Sequence, residues 1–273
     1  MKNEAIMKKY IVNGEVFDSQ DGSVFKSISK SPIYEVVRVV DKAALFLDSH
    51  LDRMFKSADL IGYDIGFLKE KIESYVAECI NINDIGSNNI KLVAVEDDNN
   101  KKLFLIYSIQ SFYPSKSYYE QGVKTIVFEH TRDNPNAKIQ HTDFKERVKE
   151  AMDSNDAFEA LLVDSEGFIL EGSRSNMFYV LNNQLYTAPS DLVLLGITRE
   201  HILSLSGKLG YRVVEQKLHK DDLKNIDGLF ISGTSTGVLP VSTIGDLQIP
   251  TMKNKIILDL IDGYDKLIHK TFS

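Results

Sequence analysis

Glu171 closes the apolar run of "FILEG" and opens a polar patch, Gly172-Ser173-Arg174-Ser175-Asn176, before the chain returns to "MFYV". An acid and three small residues between two strands suit a site where backbone must pass close to something flat. Two other stretches suit an anion. In "VLLGITREHI" Gly196 permits a tight approach and Thr198 starts a helix whose first N–H groups lack internal partners. In "FISGTSTGVLPV" a strand ends in Gly233-Thr234-Ser235-Thr236-Gly237, offering hydroxyls and free backbone donors fit for a phosphate. Arg53, at the edge of an apolar helix face in "SHLDRMF", could add a guanidinium, and Lys138 follows the turn residues "DNPN". Taken singly, each also reads as an ordinary N-cap, a Gly/Ser/Thr turn, a surface arginine, an exposed lysine or a strand-end acid.

The elements that must position these groups follow from pattern. "KYIVNGEVF" is a hairpin across Asn13-Gly14, and "IYEVVRVVDKAALFLD" another across Asp41-Lys42. Leu51, Met54, Phe55, Ala58 and Ile61 share a helix face that Ser49 would cap, and "GFLKEKIESYVAECI" is a second amphipathic helix. "NIKLVAVEDDNNKKLFLIYSI" turns at Asp97 to Asn100. After a polar, proline-containing boundary in "QSFYPSKSYYEQG", strands and helices mix through "FEALLVD", "FILEG", "NMFYVLNNQLYTA", "TREHILSLSGKLG", "YRVVEQ", "GLFISGT" and a final helix, "NKIILDLIDGYDKLIH". The expectation is an α+β chain in two lobes, 1–116 and 117–273, with the ligand site between them.

Composition narrows the function. The 273 residues are 43% hydrophobic with a formal net charge of −7, which argues against nucleic acid and for a small-molecule partner. The single Cys79 demands no oxidising compartment and reads as a small buried apolar residue. No stretch approaches the roughly 20 apolar residues of a membrane span and no signal peptide is evident, so a cytoplasmic, membrane-free protein is expected. The six histidines lack metal-ligand spacing, and dinucleotide, P-loop and nucleophile-elbow patterns are missing, so no metal is expected.

Read together and in order, "YEVVRV", "HLDRMFKSA", "NPNAK", "EALLVDSEGFILEGSRSNMF", "LLGITRE" and "SGTSTGVLPV" resemble the class-IV pyridoxal-phosphate aminotransferases, the group of branched-chain and D-amino-acid aminotransferases and aminodeoxychorismate lyase. The motifs span Tyr34 to Val241. The resemblance implies the two-lobe type IV fold, with a smaller N-terminal lobe and a larger pseudo-barrel C-terminal lobe that carries the cofactor lysine. It implies pyridoxal 5'-phosphate, amino-group exchange between an amino acid and a 2-oxo acid, and a homodimer.

The same resemblance implies residue roles. Lys138 would carry the cofactor aldehyde and move the proton at the substrate α-carbon; it precedes Glu171 by 33 positions (171 − 138), as in the family. Lys145 is the competing lysine, inside a helix. Glu171 would face the pyridine nitrogen and favour its protonated form. Arg53, Ile197, Thr198 and Thr234 would take the phosphate, with Ser175 and Asn176 supporting the cofactor. Tyr34, Val36 and Arg38, on one strand face by alternation, together with Tyr113 and Ser235, would meet substrate, Arg38 through a carboxylate.

The chain also departs from the family. "SISKSPIYEV" lacks a glycine-containing run. No tyrosine follows Lys138, leaving His141 as a substitute, and "KIQHTDF" lacks the lyase's "KHLNR"-like string. "QSFYPSK" holds no arginine to trap a carboxylate. An aminotransferase is therefore favoured, with the 4-aminobenzoate-forming lyase and a fold relative that has lost catalysis and serves as a binding protein as the alternatives. Substrate identity and chirality are not readable.

Overall fold

The computed structural model describes residues 1–131, 135–139 and 142–270. The expected turn residues Asp133 and Asn134 and the candidate His141 lie outside them. The chain divides into two compact units: residues 1–112 with 137–139, and residues 113–131, 135–136 and 142–270. The segment around Lys138 thus belongs by its contacts to the first unit, whereas the sequence reading assigns it to the second lobe.

The first unit contains β1 (Lys9–Val12), β2 (Glu15–Asp18), α1 (Ser23–Lys26), β3 (Ile33–Val40), β4 (Ala43–Ala44), α2 (Leu47–Leu60), α3 (Lys69–Ile82), β5 (Asn88–Glu96) and β6 (Lys102–Ile109). The strands form one sheet in the order β2-β1-β6-β5-β3-β4, antiparallel at every pairing. Both expected tight turns form, with Asn13 and Gly14 at φ 52° and 88° and Asp41 and Lys42 at 48° and 65°, the left-handed pair that a two-residue hairpin needs. Along β3, Ile33, Glu35, Val37 and Val39 are buried, while Tyr34, Val36 and Arg38 are half-buried on the other face. The buried row packs with Leu51, Met54 and Ala58 of α2 and Ile72, Val76 and Cys79 of α3 into one core. Cys79 is fully buried as expected, and burial pushes its thiol up to about 12.

One expectation fails. Ser49 does not cap α2: the helix starts at Leu47, and Phe46, in left-handed conformation at φ 53°, takes the N-cap position without a side-chain bond. The tight turn before it hands the chain directly from sheet to helix.

The second unit contains α4 (Lys116–Gln121), β7 (Val123–Glu129), α5 (Thr142–Ser154), β8 (Glu159–Val163), β9 (Phe168–Gly172), β10 (Asn176–Leu181), β11 (Gln184–Thr187), α6 (Ile197–Lys208), β12 (Val213–Glu215), β13 (Leu218–His219), β14 (Gly228–Gly233), β15 (Gly237–Ile244), β16 (Leu247–Gln248) and α7 (Lys255–Lys270). Its sheet runs β12-β11-β10-β14-β15-β7-β8-β9-β13, and β9 pairs back onto β10 through Glu171 and Asn176. Six strands thereby close into a barrel-like ring whose parallel pairings are β15–β7 and β7–β8; outside the ring β11–β12 is also parallel. Leu161, Val163, Met177, Tyr179, Leu229, Ile231, Leu239 and Val241 fill its core. No helix among the described residues is long and apolar enough to cross a membrane.

Leu51, fully buried between α2 and the sheet, anchors the helix that carries Arg53. Replacing it by alanine should cost about 2–5 kcal/mol, measured as a shift of the urea midpoint at unchanged slope; a loss under about 1 kcal/mol would mean that α2 is not held by this contact.

Candidate active site

In the first unit the site is built on a buried carboxylate. Strand alternation puts Glu35 on the apolar face of β3, where it has no exposure. An ion in that position must be paired, and α2 supplies the partners. Arg53 donates from Nε to Glu35 Oε1 at 2.7 Å and from Nη2 to Oε2 at 2.5 Å, a two-point clamp. His50 Nδ1 donates to Oε2 at 2.8 Å. Burial alone would raise the Glu35 carboxyl; the Arg53 guanidinium and the hydrogen bonds from His50 and Arg53 outweigh it and hold it at about 2. Burial lowers the His50 pKa, against the pull of Glu35, and the nearby Arg53 and Lys138 charges add to the lowering. Arg53 is 9% exposed, so the surface-arginine reading does not hold.

The same helix face reaches Lys138. His50, Arg53 and Ser57 lie at helical spacing, and Ser57 donates to the Arg53 carbonyl at 2.9 Å. Ser57 Oγ also accepts from the Lys138 backbone N–H at 3.3 Å, and the Lys138 carbonyl accepts from Tyr34 N–H at 3.2 Å. An Ile33–Ile139 bridge completes the attachment. The lysine's backbone is pinned between α2 and the start of β3, and its ε-amino group stands 4.9 Å from the centre of the Tyr34 ring. Lys145 instead sits exposed on α5, as the helix reading anticipates.

In the second unit, Glu171 and Asn176 are opposite one another on β9 and β10, and Asn176 opposes Ser232 on β14. Directly opposed residues share a sheet face, so Glu171, Asn176 and Ser232 form one polar row. Glu171 is 4% exposed, which excludes a surface strand-end acid, and its Oε2 accepts from Leu194 N–H at 3.2 Å. Asn176 Nδ2 donates to the Leu194 carbonyl at 2.8 Å. The loop before α6 is thus tied to the row from both sides. A Cβ on Gly196 would lie 2.1 Å from Asn176 Oδ1, so this N-cap position requires glycine. α6 begins at Ile197, one residue before the expected Thr198, with no side chain capping its first N–H groups; both residues are buried. Arg199 of "GITR" is 4% exposed and donates from Nη2 to Glu215 Oε1 at 2.9 Å and to the Ala188 carbonyl at 3.2 Å, bracing the helix from behind.

The four residues between Glu171 and Asn176 turn over a carboxylate that sequence reasoning missed. Glu159, 1% exposed on β8, accepts from Ser173 Oγ at 2.6 Å and Ser175 Oγ at 2.9 Å, and the Arg174 guanidinium lies 3.7 Å away. A Cβ on Gly172 would meet Ser175 Oγ at 2.1 Å and Glu159 Cδ at 3.2 Å. The small residues here are demanded by the chain's own carboxylate, and the Ser175 hydroxyl is already committed to it. Thr234 and Ser235 are half-buried in the β14–β15 turn, and Tyr113 is half-buried in the loop before α4. Ser232 Oγ and Thr236 Oγ1 are buried without hydrogen-bond partners among the described residues. Glu35 and His50 were also missed; the signal was an acid at an apolar-phase position of β3. Among the described residues no cluster of His, Cys, Asp or Glu could hold a metal ion.

Both Glu35 and His50 bind protons more weakly in the folded chain than in the unfolded one. The Glu35 contribution is present above its ordinary value of 4.5 and is lost as pH falls toward about 2; that of His50 is full above its ordinary 6.5. Stability should therefore rise with pH from acid to neutral. Glu35→Gln, which leaves the Arg53 charge buried without its counter-ion, should cost about 3–5 kcal/mol at neutral pH and flatten the rise of Tm with pH. An unchanged slope would show that the pair does not govern acid unfolding.

Residues 32–244 match the family model for class IV amino-transferases. The chain is 31% identical over 255 residues to a putative branched-chain-amino-acid aminotransferase of Methanocaldococcus jannaschii, covering 87% of this chain and 88% of that one. It is 30% identical over 223 residues to a D-alanine aminotransferase of Bacillus licheniformis, covering 78% of each. Among solved structures, a T.th. branched-chain amino acid aminotransferase with pyridoxamine 5'-phosphate superposes with a TM-score of 0.84 at 22% identity over 97% of this chain and 95% of that one. The Escherichia coli branched-chain enzyme gives 0.82 at 21% identity, over 96% and 94%. The fold is that of these type IV enzymes, and the chain belongs to the class IV aminotransferases, which depend on pyridoxal phosphate.

Proposed function

We propose that Lys138 is the residue that bonds the cofactor aldehyde and carries the proton to and from the substrate α-carbon, in a transamination between an amino acid and a 2-oxo acid. The observation that carries this reading is the setting of Lys138: half-buried, backbone pinned by Ser57 and Tyr34, amine poised over the Tyr34 ring. A lysine near its ordinary pKa is a poor nucleophile at neutral pH.

The residues fit the group. Ser232 Oγ and Thr236 Oγ1 are buried donors without partners among the described residues, and the start of α6 offers uncapped N–H groups at Ile197 and Thr198. Together with Thr234 and Arg53 these are donors of the kind a phosphate requires. Glu171, buried and oriented by Leu194, would hold a proton on the ring nitrogen, with Asn176 fixing the loop beside it. Bound pyridoxal phosphate supplies the electron sink for the pair left when the α-proton departs. Tyr34, Val36 and Arg38 line the β3 face on which Lys138 sits and would meet the substrate, with Tyr113 and Ser235 as further contacts. The relatives bear the names of both D-alanine and branched-chain enzymes, so chirality is left to experiment. The reading includes a homodimer, which rests on kinship, and a cytoplasmic site of action, which rests on the sequence expectation.

The purified protein should show a near-visible absorbance band that collapses with one member of a panel of L- and D-amino acids. Lys138→Ala should lose the band and lower turnover by roughly 100- to 10,000-fold or more. A variant that keeps both would sink the assignment, and Lys145→Ala should leave both intact.

A further inference from the structure

β9 is not a regular strand where it carries Glu171. Against β8, Val163 pairs with Ile169, and the neighbouring Leu162 pairs with Glu171. β9 therefore uses one residue more than β8, and Leu170 is the extra one, a β-bulge. Strict alternation would put Glu171 on the face of Ile169. That face is the barrel core, where Ile169 packs with Leu161, Val163, Met177 and Tyr179. The bulge turns Glu171 to the opposite face together with Leu170. There Leu170 packs with Leu192 and Val193, and Glu171 accepts from the N–H of Leu194 in the same loop. A slip to the uninterrupted register would swing the carboxylate toward the apolar core and away from that loop.

Glu159, buried at the start of β8, holds the bulged end. Its Oε1 accepts from the Ala160 N–H at 2.9 Å and from Ser173 Oγ at 2.6 Å, and its Oε2 accepts from Ser175 Oγ at 2.9 Å. Ser173 N–H donates to the Ala160 carbonyl at 2.8 Å, and Gly172 N–H to the Ser175 carbonyl at 2.8 Å. Two residues past Glu171 the chain is thus tied to β8 by side chain and by backbone, and it is tied again at Ser175. Arg174 closes the clamp from the solvent side: its Nε lies 3.7 Å from Glu159 Oε2, and its Nη2 donates to the Phe158 carbonyl at 2.9 Å. A carboxylate out of water keeps such donors in place, because losing one leaves a buried charge short of partners.

We propose that Glu159 is a positioning residue for Glu171. By fixing the segment that leaves the bulge, it keeps the Glu171 carboxylate on the face where it would meet the ring nitrogen of the cofactor. This rests on the reading of Glu171 as the partner of that nitrogen. The oxygens of Glu159 are taken up by Ala160, Ser173 and Ser175, so it acts through the register of β9. A loosened clamp is felt at the ring nitrogen rather than at the phosphate.

The test titrates the full chain, freed of cofactor, with pyridoxamine 5'-phosphate and with its 1-deaza analogue, in which a C–H replaces the ring nitrogen; heat of binding is the readout. Neither ligand has an aldehyde to bond Lys138, so the outcome does not depend on the role of that lysine. Glu159→Gln should bind pyridoxamine 5'-phosphate about tenfold more weakly than wild type, the worth of one charge-assisted hydrogen bond, and the analogue within about twofold of wild type. Glu171→Ala should show the same pattern, and in the Glu159→Gln/Glu171→Ala double variant the two losses should not add. Ser173→Ala, which removes one bond and leaves Glu159 in place, should lose about threefold for the nitrogen-bearing ligand. The unfolding midpoint of each unliganded variant shows that folded chain is being titrated, and should Glu159→Gln not fold, Ser173→Ala decides. Equal losses for both ligands would mean that Glu159 serves the barrel alone, and would overturn the proposal. So would unchanged binding in Glu159→Gln and Ser173→Ala beside a nitrogen-dependent loss in Glu171→Ala. A Glu171→Ala chain that binds both ligands as wild type does overturns the reading of Glu171, and the proposal with it.

Discussion

Glu35 is the constraint on which the first unit turns. A carboxylate with no exposure on the apolar face of a strand is tolerable only while Arg53 and His50 meet it, and that requirement fixes the rotation of α2 against the sheet. Once α2 is turned so that His50 and Arg53 face Glu35, Ser57 falls one turn further along the same face and receives the backbone of Lys138. A lysine distant in sequence is held in place by an ion pair it does not join. The guanidinium is likewise held in one orientation by Glu35, so it has little rotamer freedom left to lose.

The second unit repeats the device. Glu159 is buried beneath the Gly172–Ser175 turn and gathers the two serine hydroxyls that flank Arg174. The turn's shape thereby follows from β8 rather than from its own sequence, and Glu171 and Asn176 leave it on one face, both tied to Leu194. In each unit a buried carboxylate positions the segment beside it. Such networks are costly when half satisfied and specific when complete, which suits a site that must hold its donors still.

The charge balance on the outer face of β3 follows the same logic. Lys91, 4% exposed and paired with Glu4, approaches the Tyr34 ring that the candidate Lys138 also approaches. The N-terminal segment meets β6 through the Ala5–Ile109 bridge and the bond from Ile6 N–H to the Ser108 carbonyl, and it supplies the carboxylate that pairs with Lys91.

Local pattern was enough for most elements and for the motif residues. Alternation in "IYEVVRVV" placed Tyr34, Val36 and Arg38 on one face; Asn13-Gly14 and Asp41-Lys42 demanded left-handed turns; helical spacing found α2 and α6. These depend on neighbours a few residues apart, so they are legible in the chain. The family likeness of "EGSRSN" and "GITRE" pointed to Glu171 and Thr198 for the same reason, and that of "NPNAK", with its spacing to Glu171, pointed to Lys138. What only tertiary structure decided is which groups neutralise buried charge and which segments meet: that Arg53 faces Glu35, that Ser175 is committed to Glu159, that Phe46 and not Ser49 begins α2, that Lys138 packs with the first unit, and that Glu4 meets Lys91 from 87 positions away. Most of these are contacts across large sequence separation, where the free energy of pairing an ion out of water, rather than any local propensity, chooses the partner.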